Sequence, residues 1–213
     1  VYDLERLISK ITYQSANPRD LIAFKTSLSM LPALSYMLKQ FNKSLLKDIG
    51  DSFDALEDLY KLIDSAIEDD PPLSVKEGNI IKLSYNDVVD ELRSAKTEGK
   101  DWLAKLESEE REKTGIKNLR IKFNKVFGYY IEVTNSYKDL VPDNYIRKQT
   151  LTNAERYITP ELKELEDKIL GAEERLFSLE YQLFTQVREK IAEQVVRIQT
   201  TAHNIALVDA ICS

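Results

Sequence analysis

The sequence predicts a mainly α-helical protein that contains a small inserted antiparallel β domain. Three observations support this fold class. Apolar residues recur at helical spacing along most of the 213 residues, whereas alternation with a period of two is confined to residues 115–162. One long helical pattern leads into this stretch, and another leads out of it. The simplest arrangement pairs these two helices antiparallel and carries the sheet at their far end.

The composition suits long helices, because only six Gly and six Pro occur and 31% of the residues are charged. No stretch approaches the roughly 20 uncharged apolar residues of a membrane span, and the amino terminus lacks the order of a signal peptide. The single cysteine, Cys212, fits a reducing compartment. We therefore expect a soluble protein, and chain ends inside apparent helices suggest a fragment of a longer one.

The first 70 residues predict a series of short helices. Leu4, Leu7, Ile8 and Ile11 share one helical face. The Asn-Pro pair at residues 17–18 is a strong helix start. Pro32 must break or kink that helix, so residues 34–41 are expected to form a separate turn or short helix. Residues 51–67 predict a third helix, which the following Asp-Asp-Pro-Pro run ends.

The two long helices are predicted on either side of the β stretch. Before the first of them, residues 75–83 are branched and contain a Gly-Asn pair, which predicts a small hairpin. A charged helix then runs from residue 86 or 87 to about Thr114. After the sheet, Thr159 and Pro160 start a helix whose apolar residues alternate steps of three and four. This pattern continues through Ile198, so we expect one continuous rod.

Short segments of the β stretch alternate apolar and polar residues, as half-buried strands do. They cover residues 119–124, 129–133 and 145–150, with residues 155–159 as a fourth candidate. Phe127-Gly128 and Thr152-Asn153 are the turn candidates. Tyr129 and Tyr130 are strand neighbours, so one ring faces each side of the sheet and one of them packs in the core.

The β stretch also differs from the rest of the chain in charge. Between residues 117 and 156, eight Lys and Arg residues stand against four acidic ones, in a chain of net charge −6. At physiological salt the field of distant acids is screened beyond roughly 8 Å, so a polyanion would meet a locally basic surface. Nucleic-acid phosphate is the natural candidate partner. The alternative, that these residues only solubilise a sheet face and its edges, stays equally open.

Several runs of residues resemble the bacterial MutS proteins of DNA mismatch repair. They are YNDVVDELR, GKDWLAKLESEEREKTGIKNLRIKFNKVFGYYIEV, YIRKQTLTNAERYITPELKELE, and DDPP followed by GNIIK. The resemblance covers essentially the whole chain. It implies lever helices that carry a β-rich clamp, with residues 1–99 and 160–213 as the core-and-lever domain and residues 100–159 as the clamp.

The resemblance also implies partners. The clamp would touch the backbone of double-stranded DNA without reading sequence, and the levers would link it to an ATPase domain outside this chain. The other partners would be the mismatch-reading and connector domains of the same protein, in a bacterial cytoplasm. The full-length family protein is a homodimer that uses ATP and magnesium, whereas a monomer stays open for the fragment.

Two family motifs are missing from these 213 residues. One is the mismatch-reading Phe-x-Glu motif, and the other is the phosphate-binding G-x-x-x-x-G-K-[ST] loop. We therefore expect no mismatch recognition, no ATP hydrolysis and no cofactor in this fragment. The alternative function is a structural or protein-interaction helical module that does not bind DNA by itself.

The candidate DNA-binding residues lie at two places in the predicted sheet. Arg147 and Lys148 precede the turn at Thr152 and Asn153, whose hydroxyl and amide could reach phosphate oxygens. Lys122 and Lys125 are weaker candidates. Arg147 and Lys148 are strand neighbours and should point to opposite faces. By resemblance, Lys148 matches a basic, DNA-facing position, while Thr152 stands where relatives can carry lysine.

The remaining candidate residues do not indicate a catalytic or metal-binding site. His203 lacks metal-ligand partners at suitable spacing and is assigned a packing or surface role, and Cys212 is assigned as an inert helix thiol. The acids at residues 107, 109, 110 and 112 alternate with basic residues, which predicts a solvated helix face.

Overall fold

The computed structural model describes residues 4–41 and 45–212, except for the side chain of Cys212, and it confirms the predicted fold class. Helices dominate, and four strands form one antiparallel sheet. The α-helices are α1 Leu4–Thr12, α2 Pro18–Leu28, α3 Leu31–Leu38, α4 Leu45–Ser52, α5 Glu57–Ala66, α6 Asp87–Thr114, α7 Pro160–Ala192 and α8 Val195–Cys212. The strands are β1 Arg120–Asn124, β2 Gly128–Thr134, β3 Ile146–Thr150 and β4 Ala154–Ile158, and 3₁₀ turns cover Val75–Glu77 and Asn135–Leu140.

The chain divides into two compact units. The helical unit comprises Val1–Val89 and Phe177–Ser213, and the sheet unit comprises Asp90–Leu176. The sequence instead places the clamp at residues 100–159, and those bounds stay a prediction.

The helical unit packs α1, α2, α5 and α8 around one apolar core. Asn17 caps α2 as predicted: its side chain accepts the amide of Asp20, whose carboxylate accepts the amide of Asn17. The predicted helical face of α1 is fully buried. A separate helix, α3, begins next to Pro32, in agreement with the expected break.

Pro18–Leu38 is long and apolar enough to cross a membrane by length and composition alone, although it contains Arg19, Asp20 and Lys25 and is therefore not the uncharged stretch that the sequence analysis considered. In the structure this segment is two helices, and Leu21, Phe24 and Leu28 are buried in the core of the helical unit. A core helix passes the same test, so the finding does not assign a membrane span.

The prediction of one helix over residues 51–67 is wrong, because the chain breaks between α4 and α5. Leu56 adopts a left-handed conformation with φ 51° and is fully buried. Contacts from α8 hold the break. Arg197 pairs with Asp54 and Asp58 at 2.9 Å, and the Thr201 hydroxyl donates to the Asp54 carbonyl. These contacts are distant in sequence, and helical periodicity does not report them.

The predicted hairpin at residues 75–83 is also wrong. The segment contains a 3₁₀ turn, and Ile81 forms an isolated bridge with Ile67. Glu180 of α7 is fully buried, and its carboxylate accepts the amide of Asn79 at 2.7 Å. The Glu180 carboxylate therefore accepts the hydrogen bond of the Asn79 amide, which in a hairpin would be made to the carbonyl of a partner strand.

The carboxy-terminal helix is not one rod. α7 ends at Ala192 and α8 begins at Val195, with a tight turn in which the Gln194 amide donates to the Ile191 carbonyl at 3.0 Å. Ile198 and Thr201, just after the turn, are both fully buried. The expectation of a continuous helix was wrong. The apolar residues keep helical spacing on both sides of the turn, so the pattern does not show that the helix is interrupted there.

In the sheet unit, α6 and α7 run antiparallel. Lys96 pairs with Glu173 at 2.6 Å, and one turn further along α6 Gly99 faces Ile169. A Cβ atom on Gly99 would lie 2.5 Å from Ile169 Cγ1, so the two helices meet where the residue has no side chain. Apolar residues of both helices and of one sheet face then form a common core, namely Leu103, Leu106, Ile116, Leu119, Ile131, Val133, Tyr145, Tyr157, Leu162 and Ile169.

Candidate nucleic-acid interface

The sheet order β1-β2-β4-β3 gives the predicted basic residues two different environments. The inner face carries Ile131, Val133 and Tyr157, which pack in the core with α6 and α7. The outer face lies on the opposite side. Its residues include Arg120, Lys122, Tyr130, Glu132, Gln149 and Arg156, as the strand register and the alternation of side chains require. Most of the polar side chains of the sheet therefore lie on the side away from the core.

Arg147 and Lys148 lie on β3, an edge strand. Arg147 is opposite Tyr157 and pairs with Glu155 at 3.4 Å, which places it toward the inner face. The register shifts between Arg147 and Gln149, so Lys148 is the extra residue of a bulge. Its side chain is exposed, and within residues 4–41 and 45–212 it forms no ion pair or hydrogen bond.

Thr152 and Asn153 form the exposed turn between β3 and β4, as predicted. Asn135 fastens this turn from the end of β2. Its side-chain amide donates to the Thr152 carbonyl at 2.9 Å, and its backbone amide donates to the Asn153 carbonyl at 3.1 Å. The backbone is thus held in place while both side chains stay exposed.

Lys122 and Lys125 belong to the other hairpin. Lys122 on β1 pairs with Glu132 at 2.6 Å, and half of its side chain is exposed. Lys125 is exposed in the turn before Gly128 and has no ion-pair partner in the described part of the chain. The sequence predicted both as candidates, but Lys122 is already paired, whereas Lys125 pairs with no acid among the described residues.

The six predicted residues do not form one cluster. Arg147, Lys148, Thr152 and Asn153 share the β3–β4 hairpin, whereas Lys122 and Lys125 share the β1–β2 hairpin. β1 and β3 are opposite edges of the sheet, three strand spacings or about 14 Å apart. The two turns also lie at opposite ends of the strands. A single small ligand could not contact all six, whereas an extended polyanion could.

Sequence reasoning missed an organised group at the centre of the outer face. The Arg156 guanidinium stacks over the Tyr130 ring, 4.5 Å from its centroid. It also donates from Nη1 to Gln149 at 2.9 Å and from Nε to Glu132 at 3.2 Å. The hydrogen bond from Lys122, with the additional one from Arg156, holds the pKa of the Glu132 carboxyl below its usual range. Period-two alternation places these residues on one face but does not pair them.

Of the two adjacent tyrosines, Tyr130 is buried under Arg156 on the outer face. Tyr129 is half-buried on the inner face, where it packs against the core. The prediction that the rings face opposite sides is confirmed by this arrangement.

The prediction of a solvated acidic face on α6 is wrong for two residues. Glu110 is buried and accepts a hydrogen bond from the Tyr145 hydroxyl. Glu107 accepts the Ile121 amide at 2.8 Å and pairs with Arg111 and Arg120. Helical periodicity does not report the contacts to Arg120, Ile121 and Tyr145, because they form only when the sheet unit folds back on α6.

No group of three or more metal-ligating side chains occurs among the described residues. His203 is exposed on α8, in line with a surface role. The side chain of Cys212 lies outside what the structure describes, so its predicted role as an inert thiol stays a prediction.

Residues 84–175 match the model of MutS family domain IV. Over all 213 residues the chain is 64% identical to the DNA mismatch repair protein MutS of Lachnoclostridium phytofermentans and 62% identical to that of Caldanaerobacter subterraneus subsp. tengcongensis. It is 56% identical to the MutS protein of Ruminiclostridium cellulolyticum. The chain covers 23%, 24% and 24% of these relatives, so it spans about a quarter of their length. The family match lies over the sheet unit and the identity extends through the helical unit, and the chain therefore belongs to the MutS family.

Proposed function

We propose that this chain is the part of a MutS-family mismatch-repair protein that grips duplex DNA through its sugar–phosphate backbone. The observation that carries the proposal is the β3–β4 hairpin, where residues 144–154 contain two cations and no acid. Lys148 lies in the bulge and pairs with no acid in the part of the chain that the structure describes. The turn held by Asn135 places the exposed side chains of Thr152 and Asn153 on the same hairpin. Backbone contacts of this kind position a protein on DNA but carry no sequence information.

α6 and α7 transmit conformational change between this grip and an ATPase domain outside the chain. Support comes from the hydrogen bonds that join the sheet to both helices. Glu107 and Glu110 of α6 and Glu166 of α7 each bond to a residue in or next to the sheet. A sheet fixed to both helices must follow their movement. The fragment itself neither reads mismatches nor hydrolyses ATP, since both family motifs are missing from its sequence.

Titration of the 213-residue chain with a labelled duplex at several salt concentrations tests the proposal. The dissociation constant should be roughly 10⁻⁴ to 10⁻⁶ M, as for other non-specific DNA contacts, and a mismatch in the duplex should not change it. Lys148→Glu should weaken binding to every duplex alike and reduce the salt slope by about one unit.

Lys168→Glu is the matched control, because it makes the same charge change on an exposed residue of α7 in the sheet unit. If Lys148→Glu binds as the parent does, or if both variants weaken equally, the β3–β4 hairpin is not the grip. No salt-dependent binding by the parent would instead favour the structural or protein-interaction module. Calorimetry with ATP and magnesium should be flat, and saturable binding would reveal a nucleotide site.

A further inference from the structure

Glu132 occupies the centre of the outer face and holds two cations at once. One carboxylate oxygen lies 2.6 Å from Lys122 Nζ, and the other lies 3.2 Å from Arg156 Nε. Arg120, directly opposite Glu132 in the strand register, turns away and pairs with Glu107 at 3.2 Å. Glu132 is the acidic side chain among the outer-face residues, so it is the anion that these two cations share.

Arg156 does not depend on Glu132 for its position. Tyr130 supports its guanidinium from below, and Gln149 accepts from Nη1 at 2.9 Å. Its side chain is 20% exposed, and that of Lys122 is 51% exposed. A second anion can therefore approach both cations from solvent, where it competes with Glu132 for their positive charge.

We infer that Glu132 is an intramolecular competitor for nucleic-acid phosphate, which keeps Lys122 and Arg156 from strengthening the grip of the sheet on DNA. This inference rests on the proposed function. A phosphate that approaches either cation meets a charge that the carboxylate already compensates, and the carboxylate repels the phosphate. Lys148 and Lys125 have no such competitor among the described residues. The β3 edge therefore contacts phosphate without competition, whereas the positive charges of Lys122 and Arg156 on the outer face remain compensated by Glu132.

Glu132→Gln tests the inference, because glutamine keeps the shape and removes the charge. Duplex affinity should rise by about twofold to tenfold, as expected for one or two exposed ion pairs with phosphate. The salt slope should steepen by about one to two units. Glu173→Gln is the matched control, because it removes one negative charge and the 2.6 Å ion pair with Lys96 from the helices of the same unit. Equal gains in both variants would overturn the inference, since net charge alone would then explain them.

A second comparison begins in the parent background, where the result does not depend on the folding of Glu132→Gln. In the parent background Lys122→Gln should change affinity less than twofold, whereas Lys148→Gln should weaken it more. In the Glu132→Gln background, Lys122→Gln should remove much of the gain. If Lys122→Gln weakens the parent as much as Lys148→Gln does, Glu132 does not withhold Lys122.

The two proposals fail in different ways. Parent binding that Lys148→Glu weakens, with no gain from Glu132→Gln, overturns only the role of Glu132. If neither the parent nor Glu132→Gln binds duplex DNA, both proposals fail. Binding by Glu132→Gln alone would support the competitor role and show that the β3 edge is not sufficient.

Discussion

The Glu166 carboxylate of α7 accepts a hydrogen bond from the backbone amide of Tyr129 in β2 at 2.5 Å. Pairing of β2 with β4 begins only at Ile131, so the carboxylate takes a donor that the sheet leaves without a strand partner. Glu166 is 3% exposed and also pairs with Lys163. The central strand is thereby bonded directly to a helix.

Glu166→Ala should lower the free energy of unfolding by about 1–3 kcal/mol, because it leaves the part-buried Tyr129 amide without its acceptor. Urea denaturation followed by circular dichroism measures the change. Glu164→Ala is the control, since it removes an exposed acid from the same helix. Equal effects of the two substitutions would show that the contact does not stabilise the sheet unit.

Gly128→Ala should destabilise the protein more than Gly115→Ala. Both glycines have positive φ, 75° and 70°, so alanine costs about 1–2 kcal/mol in either position. A Cβ atom at Gly128 would also overlap the Glu166 carboxylate, whereas at Gly115 no atom lies within 4 Å. The difference in unfolding free energy therefore isolates the overlap, and we expect at least about 1 kcal/mol. Equal losses would mean that Glu166 moves aside freely.

Tyr145→Phe should cost about 1–3 kcal/mol of unfolding free energy, because Glu110 then loses the hydroxyl donor in a buried site. Burial, with the hydrogen bond to Glu110, raises the pKa of Tyr145 above its ordinary value. Tyr137→Phe is the control, since Tyr137 packs against the same core. An absorbance titration should also show one fewer late-titrating phenol in Tyr145→Phe, and an unchanged curve would contradict the assignment.

Stability should fall in acid partly through Glu132. Its pKa is lowered in the folded state by Lys122 and Arg156, so the ionised carboxylate stabilises the fold above the unfolded pKa of about 4.5. That contribution disappears as the pH falls below this value and through the lower folded pKa. Unfolding free energies measured between about pH 6 and pH 3 should decline less steeply in Glu132→Gln than in the parent. Parallel curves would show that the ion pairs do not bias its ionisation.

Local patterns located the sheet and the long helices. Alternation in residues 115–162 placed all four strands to within one or two residues, and the Asn17 cap and Pro160 marked helix starts that the structure confirms. The errors have a common cause. The breaks at Leu56 and Gln194 and the segment at residues 75–83 depend on Arg197, Ile198 and Glu180, which come from distant parts of the chain. Periodicity in a short window cannot register such partners.

For the candidate DNA-binding residues too, some features follow from the sequence and others only from the tertiary structure. The sequence by itself determined that the basic residues concentrate on the sheet, because charge and period are properties of neighbouring residues, and its motifs identified the MutS family. Only the tertiary structure decided which cations are engaged. The strand register brings Lys122 and Arg156 to Glu132, and Lys148 in the β3 bulge pairs with no acid among the residues that the structure describes. An ion pair depends on distances of a few ångströms between strands, and those distances are set when the strands pair.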